Sequence, residues 1–87
     1  HAKEADSAVV QTDAVLFDRL KALRSKLAKA LGKPAYIVFS DAALLDMCTR
    51  KPATMSAFLQ VNGVGEYKAE QFGEAFLDEI AGVVGVR

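Results

Sequence analysis

The stretch Pro34-Ala35-Tyr36-Ile37-Val38-Phe39-Ser40-Asp41 decides the fold. Tyr36, Ile37, Val38 and Phe39 are aromatic or β-branched, the residue types that favour a pleated strand. A strand needs a partner, and no other segment of the 87 residues reads as one. The run is therefore expected to be an extended loop, anchored by its apolar side chains. The fold follows: all-α, a compact single-domain bundle of four to five helices.

The flanks agree with this reading. Upstream, Leu16, Leu20, Leu23, Leu27 and Leu31 recur at steps of three and four with Phe17 alongside, the spacing of one amphipathic helix. Thr12 or Asp13 suits its N-cap, and Gly32 with Pro34 ends it. Residues 1–12 carry no sustained apolar period and are expected to be a flexible linker, with the domain proper over 13–84 and a tail at 85–87. Downstream, Ser40 or Asp41 caps a second helix to about Thr49, with Leu44, Leu45 and Met47 or Cys48 turned inward. Thr54 caps a short third helix, Met55 to Leu59, and Val61-Asn62-Gly63-Val64-Gly65 forms a tight turn. In the last segment Ala69, Phe72, Phe76, Ile80 and Val83 keep helical register through Gly73. A kink or break is expected at that glycine, because a mid-helix glycine is about 1 kcal/mol less favourable than alanine.

Composition narrows the function. The chain is 52% apolar, enough for one small core and too short for a second domain or a deep cleft. No stretch approaches the length of an apolar membrane span. Cys48 is the only cysteine and His1 the only histidine, so neither a structural zinc site nor a catalytic Ser/His/Asp or Cys/His set can be assembled. Cys48 and the five phenylalanines are expected in the core. The expectation is a non-catalytic module with no cofactor and no metal, soluble, cytoplasmic and monomeric.

The net charge of zero conceals an asymmetry. Residues 1–40 carry seven basic against four acidic side chains, and residues 54–87 carry two against five. Such polarity bears on which partners each end attracts.

From about residue 13 to residue 84 the chain resembles the helicase-and-RNase-D C-terminal (HRDC) domain that RecQ-type DNA helicases carry as an accessory. The resemblance rests on the Leu20-x-x-Leu23-Arg24 pattern, the loop from Pro34 to Asp41, Ala43-Leu44-Leu45 and Lys51-Pro52-Ala53-Thr54. It continues through the turn from Leu59 to Gly65, Lys68, and Phe72-Gly73-Glu74-Ala75-Phe76-Leu77. Each piece is weak alone, and their order and spacing are specific. The resemblance implies a five-helix domain without catalytic residues that helps a helicase, or in another branch an RNase D-type ribonuclease, hold nucleic acid. The parent is then expected to be an ATP-dependent 3′–5′ DNA helicase of DNA repair and recombination, nucleoid-associated if bacterial.

Tyr36 is the sharpest site candidate. A tyrosine beside an apolar anchor and near Lys33 can stack on an unpaired base while the ammonium meets a phosphate, and in the domains it resembles an aromatic here belongs to the nucleic-acid face. The alternative is a tyrosine packed over the core with its hydroxyl at the rim. Lys33, Arg50, Lys51 and Lys68 match the family's positive face, with ordinary solvated charge as the other reading for each. The Gly63-Val64-Gly65 turn is similar to the hairpin of helix-hairpin-helix modules, which meets phosphate with backbone N–H groups. Glu66 opposes that use by placing negative charge at the same helix start, so a structural turn is preferred.

Glu66, Glu70, Glu74 and Asp78 recur every four residues and form one acidic stripe if their helix is continuous. Two functions from different classes follow. One is an accessory binder that grips single-stranded or branched DNA weakly through Tyr36, Lys33, Arg50, Lys51 and Lys68. The alternative is a regulatory protein-interaction module that uses the acidic face, with the helicase core of the same chain as candidate partner.

Overall fold

The computed structural model describes the backbone over residues 2–85 and side chains from residue 14 to residue 85. Five helices and no strand occupy the described residues. They are α1 (Ala2–Leu31), α2 (Ala35–Val38), α3 (Asp41–Arg50), α4 (Met55–Phe58) and α5 (Glu66–Val84). None is long and apolar enough to cross a membrane. The helical backbone of α1 continues upstream through Thr12 and Asp13, so neither residue caps it. The expected linker over 1–12 lies outside the residues whose side chains are described, as do residues 86 and 87 of the expected tail.

The deciding stretch is neither strand nor loop throughout. Ala35–Val38 closes one helical turn, started by Pro34 in extended conformation, with the Ile37 amide donating to the Pro34 carbonyl at 3.0 Å. Phe39 then returns to extended backbone (φ −151°, ψ 147°). With no neighbouring strand to hydrogen-bond, a local turn satisfies the backbone better than an isolated extended segment, and β propensity yields to that requirement.

Phe39 is the centre of the core. Its ring is fully buried and meets Phe58, Phe72 and Phe76 edge-on, with centroids 5.9, 6.0 and 5.0 Å away. Such T-shaped contacts set the electropositive ring edge on the electron-rich face and add to the area buried. Around this cluster pack Leu16 and Leu20 of α1, Ala43, Leu44, Met47 and Cys48 of α3, and Ala69 and Ile80 of α5. Two expected inward residues point outward instead. Leu31 is 48% exposed because α1 overshoots the core, and Leu45 is 54% exposed because the inner face of α3 passes through Ala43, Leu44, Met47 and Cys48.

The caps of α3 and α4 fall at Ser40 and Thr54. The Ser40 hydroxyl accepts from the Ala43 amide at 3.1 Å and the Thr54 hydroxyl from the Ala57 amide at 3.1 Å. Each satisfies one amide that the first helical turn leaves free.

Gly73 does not break α5, which runs unbroken for 19 residues. The glycine is there for packing: a Cβ at Gly73 would lie 2.7 Å from Met55 Cε and 2.9 Å from its Sδ. The missing side chain lets Met55 of α4 lie against the backbone of α5.

A candidate nucleic-acid interface and an acidic groove

The end of α1 fixes the basic end of the molecule. Gly32 takes a left-handed conformation (φ +66°), its amide donates to the Lys29 carbonyl, and the Lys33 amide donates to the Ala28 carbonyl at 3.0 Å. This closure fixes the Lys33 backbone and delivers Pro34 to start α2. On α2, Val38 turns into the core while Tyr36 stands 67% exposed and Ile37 is 39% exposed. The rim-packed alternative for Tyr36 is thereby set aside. Lys26, Lys29 and Lys33 are all exposed, and no acidic residue occurs between Arg19 and Ser40. The surroundings of Tyr36 in the chain are therefore positive.

Arg24 holds this turn in place. Its guanidinium is buried between α1 and the α2–α3 junction, donating to the Phe39 carbonyl at 3.0 Å and to Asp41 Oδ1 at 2.7 Å. Both bonds fall immediately after α2, so they fix the direction in which Tyr36 leaves the core. Sequence reasoning registered Arg24 only as part of a pattern. Its position one step from the stripe of leucines, facing the same core, was the available signal.

The other basic candidates are placed differently. Lys68 is half-buried, with its ammonium 5.9 Å from the centroid of the Phe39 ring, an arrangement in which the ring face attracts the cation. Arg50 and Lys51 lie at the far end of α3, about 14 Å along the helix from Asp41 at 1.5 Å per residue. Arg50 Nε donates to Asp46 Oδ2 at 2.7 Å. Lys51 closes α3 in a left-handed conformation (φ 46°), its amide donating to the Met47 carbonyl and its ammonium to the Cys48 carbonyl at 2.6 Å. The structure thus sets Lys33 and Tyr36 on either side of the start of α2 and Lys68 against the buried Phe39 ring, while Arg50 and Lys51 lie at the C-terminal end of α3.

The glycine turn is packed as a structural element. Gly63 (φ +85°) approaches α3 so closely that a Cβ there would lie 3.3 Å from the Ala43 Cβ, and the Asn62 amide donates to Asp46 Oδ2 at 2.8 Å. The Asn62 amide, with the Arg50 guanidinium, holds the Asp46 carboxyl below its ordinary value of 3.8.

The acidic side of the molecule is α5. Because the helix is continuous, Glu66, Glu70, Glu74 and Asp78 are all exposed at four-residue spacing. Glu66, Glu70 and Glu74 line a groove of about 760 Å³ between α4 and α5, with Met55, Leu59 and Tyr67, whereas Asp78 is not part of its lining. Tyr67 is 72% exposed. The buried Ala69 of the core stripe also lines the groove, whereas Phe72 and Phe76 are not part of its lining. The sequence places the acidic stripe close to the apolar one but offset from it, and Tyr67 is not singled out there.

Among the described residues no three His, Cys, Asp or Glu side chains are arranged to hold a metal ion. The features define a small helical module with a basic, aromatic-tipped turn at one place and an acidic groove at another. The chain belongs to the HRDC family, whose profile, the HRDC domain, matches residues 13–80. It is 44% identical over 73 residues to the ATP-dependent DNA helicase RecQ of Pasteurella multocida, covering 84% of this chain and 12% of that protein. The Bacillus subtilis protein of the same name is 38% identical over 79 residues, 90% of this chain and 13% of its own length. ATP-dependent DNA helicase UvrD2 of Mycobacterium bovis is 30% identical over 80 residues, 92% of this chain and 11% of its own. Among solved structures, the D. radiodurans RecQ HRDC domain 3 superposes with a TM-score of 0.81 at 38% identity, covering 83% of this chain and 95% of that one. The chain thus spans about an eighth of the RecQ relatives it matches.

Proposed function

We propose that this chain is the accessory nucleic-acid-binding domain of a RecQ-type DNA helicase, non-catalytic in itself, that holds single-stranded or branched DNA weakly beside the motor. The observation that carries the reading is Tyr36, 67% exposed on a turn whose neighbours Val38 and Phe39 are fully buried. An aromatic ring held outside a rigid anchor, with Lys33 beside it, is a platform on which an unpaired base stacks while an ammonium meets the backbone. The helicase relatives support the choice of a helicase parent over a ribonuclease. With that parent the domain acts in the cytoplasm, in bacteria at the nucleoid.

Affinity is low, because few cations face the strand and the chain has no net charge to concentrate DNA around it. Lys26, Lys29 and Lys33 are the exposed lysines nearest to the stacking turn. Three phosphate contacts on a single strand give a slope of log K against log salt of about −2.

Fluorescence anisotropy with labelled single-stranded and forked oligonucleotides at two salt concentrations tests this directly. Tyr36→Ala should weaken binding by roughly 1–3 kcal/mol with the slope unchanged, since stacking is not screened by salt. Lys33→Ala should reduce the slope by about 0.7. No binding to either DNA at low salt refutes the proposal.

A further inference from the structure

The α4–α5 groove is built unlike the Tyr36 turn. Its floor is apolar, from Met55 and Leu59, and one wall carries Tyr67, 72% exposed. Glu66, Glu70 and Glu74 also line it, and none forms an ion pair among the described residues. Carboxylates spaced four apart repel one another by a few tenths of a kcal/mol per pair, and among the described residues no cation pairs with them. The absent Cβ at Gly73 leaves room on α5 for the end of Met55, whose Cε and Sδ would lie 2.7 and 2.9 Å from it.

The chemistry of the lining selects the occupant. Phosphate is repelled by three carboxylates, so nucleic acid does not belong in this groove. A segment that presents cations together with a large apolar side chain complements both parts. Methionine suits such a floor because its unbranched thioether adapts to the shape laid on it. Tyrosine suits the wall, being an aromatic that buries area while ordering few torsions.

We propose that the groove docks a basic polypeptide segment of a protein partner. One large apolar side chain of that segment sits on Met55 and Leu59 against Tyr67, and its flanking Lys or Arg side chains pair with Glu66, Glu70 and Glu74. The groove's lining shares no residue with the Tyr36 turn, so the two functions are tested on different side chains.

The test uses three fluorescein-labelled hexapeptides and the 87-residue chain. One is Lys-Lys-Phe-Lys-Lys-Leu, the second is hexalysine, and the third carries Glu in place of each Lys of the first. The first should bind, and hexalysine should bind about tenfold more weakly although it has more charge, because it lacks the apolar anchor. The acidic peptide should not bind. E70K with E74K should weaken the first peptide at least about tenfold by replacing two attractions with repulsions. Tyr67→Ala should weaken it by about tenfold and leave hexalysine unchanged. These side chains are exposed, and an unaltered thermal melt establishes that each variant keeps the fold. Equal affinity for hexalysine and the first peptide, equal affinity of the charge-reversed and unaltered chains, or no binding near millimolar peptide each overturns the proposal. None of these results bears on DNA binding, which the oligonucleotide assay reads on its own.

Discussion

Gly73→Ala is the perturbation whose outcome depends most on the packing described. In an unhindered helix the change would stabilise by about 1 kcal/mol, the propensity difference between the two residues. Here the added methyl would lie 2.7 Å from Met55 Cε and 2.9 Å from Sδ, well inside van der Waals contact. The clashing atoms are the flexible end of the half-buried Met55, which can swing outward, so the cost stays at the low end of overpacking, about 1 kcal/mol. It offsets the gain in propensity and leaves a net change near zero. Truncating Met55 removes the obstacle, and the next atom, Phe58 Cδ2 at 3.6 Å, is an ordinary contact. In a Met55→Ala background Gly73→Ala should therefore stabilise by about 1 kcal/mol. Urea denaturation of the four proteins of this cycle gives the coupling energy, expected at about 1 kcal/mol. If Gly73→Ala stabilises both backgrounds alike, with coupling below about 0.5 kcal/mol, Met55 does not rest on this glycine and the account of the groove floor fails with it.

Further consequences are open to measurement. Leu20→Ala, at a fully buried position, should cost about 3 kcal/mol in urea denaturation, and Leu27→Ala, only partly buried, about half as much. Equal losses would contradict the placement of the core beneath α1. Arg24→Lys should cost about 1–2 kcal/mol, because both bonds leave the single nitrogen Nη1 and the shorter lysine side chain does not carry its ammonium out to that position; a neutral result would remove Arg24 from the support of the α2 turn. Asp46→Asn should lower Tm at neutral pH. The folded carboxyl lies below its ordinary 3.8, so its contribution is complete above that value and is lost as pH falls through the lower folded value. The difference in Tm between the two proteins should accordingly shrink on acidification below about 3.8, and a difference that is the same at pH 3 and pH 7 would contradict the assignment.

What the sequence made legible was what local chemistry and one period determine. Ser40 and Thr54 cap as read because a hydroxyl reaches an amide three residues on with no help from elsewhere. Leu16, Leu20, Phe76 and Ile80 are buried because a sustained period of three and four fixes one helix face. Leu31 and Leu45 escaped because the period does not say where the core ends. Ala35–Val38 was misjudged because β propensity describes a surface that this fold does not provide. Gly73 was read as a weakness of its helix because its compensating contact, Met55, lies on a different helix. For the same reason the groove was invisible, although its carboxylates were picked out by their spacing. The sequence leaves Tyr36 open between an exposed stacking residue and one packed at the rim of the core; it stands exposed beside Lys33 in the chain. That Arg50 and Lys51 are engaged in closing α3 was not anticipated, since their partners Asp46 and Cys48 become neighbours only once that helix forms.

The central claim is that DNA meets the turn carrying Tyr36 and the end of α1, and amide chemical-shift mapping with a short oligothymidine at low salt tests it most directly. The account predicts shifts concentrated in residues 26–40 that disappear in Tyr36→Ala, with α5 residues 66–74 unmoved. Shifts centred on residues 66–74, or on the α3 end at Arg50 and Lys51 with none near Tyr36, would contradict it.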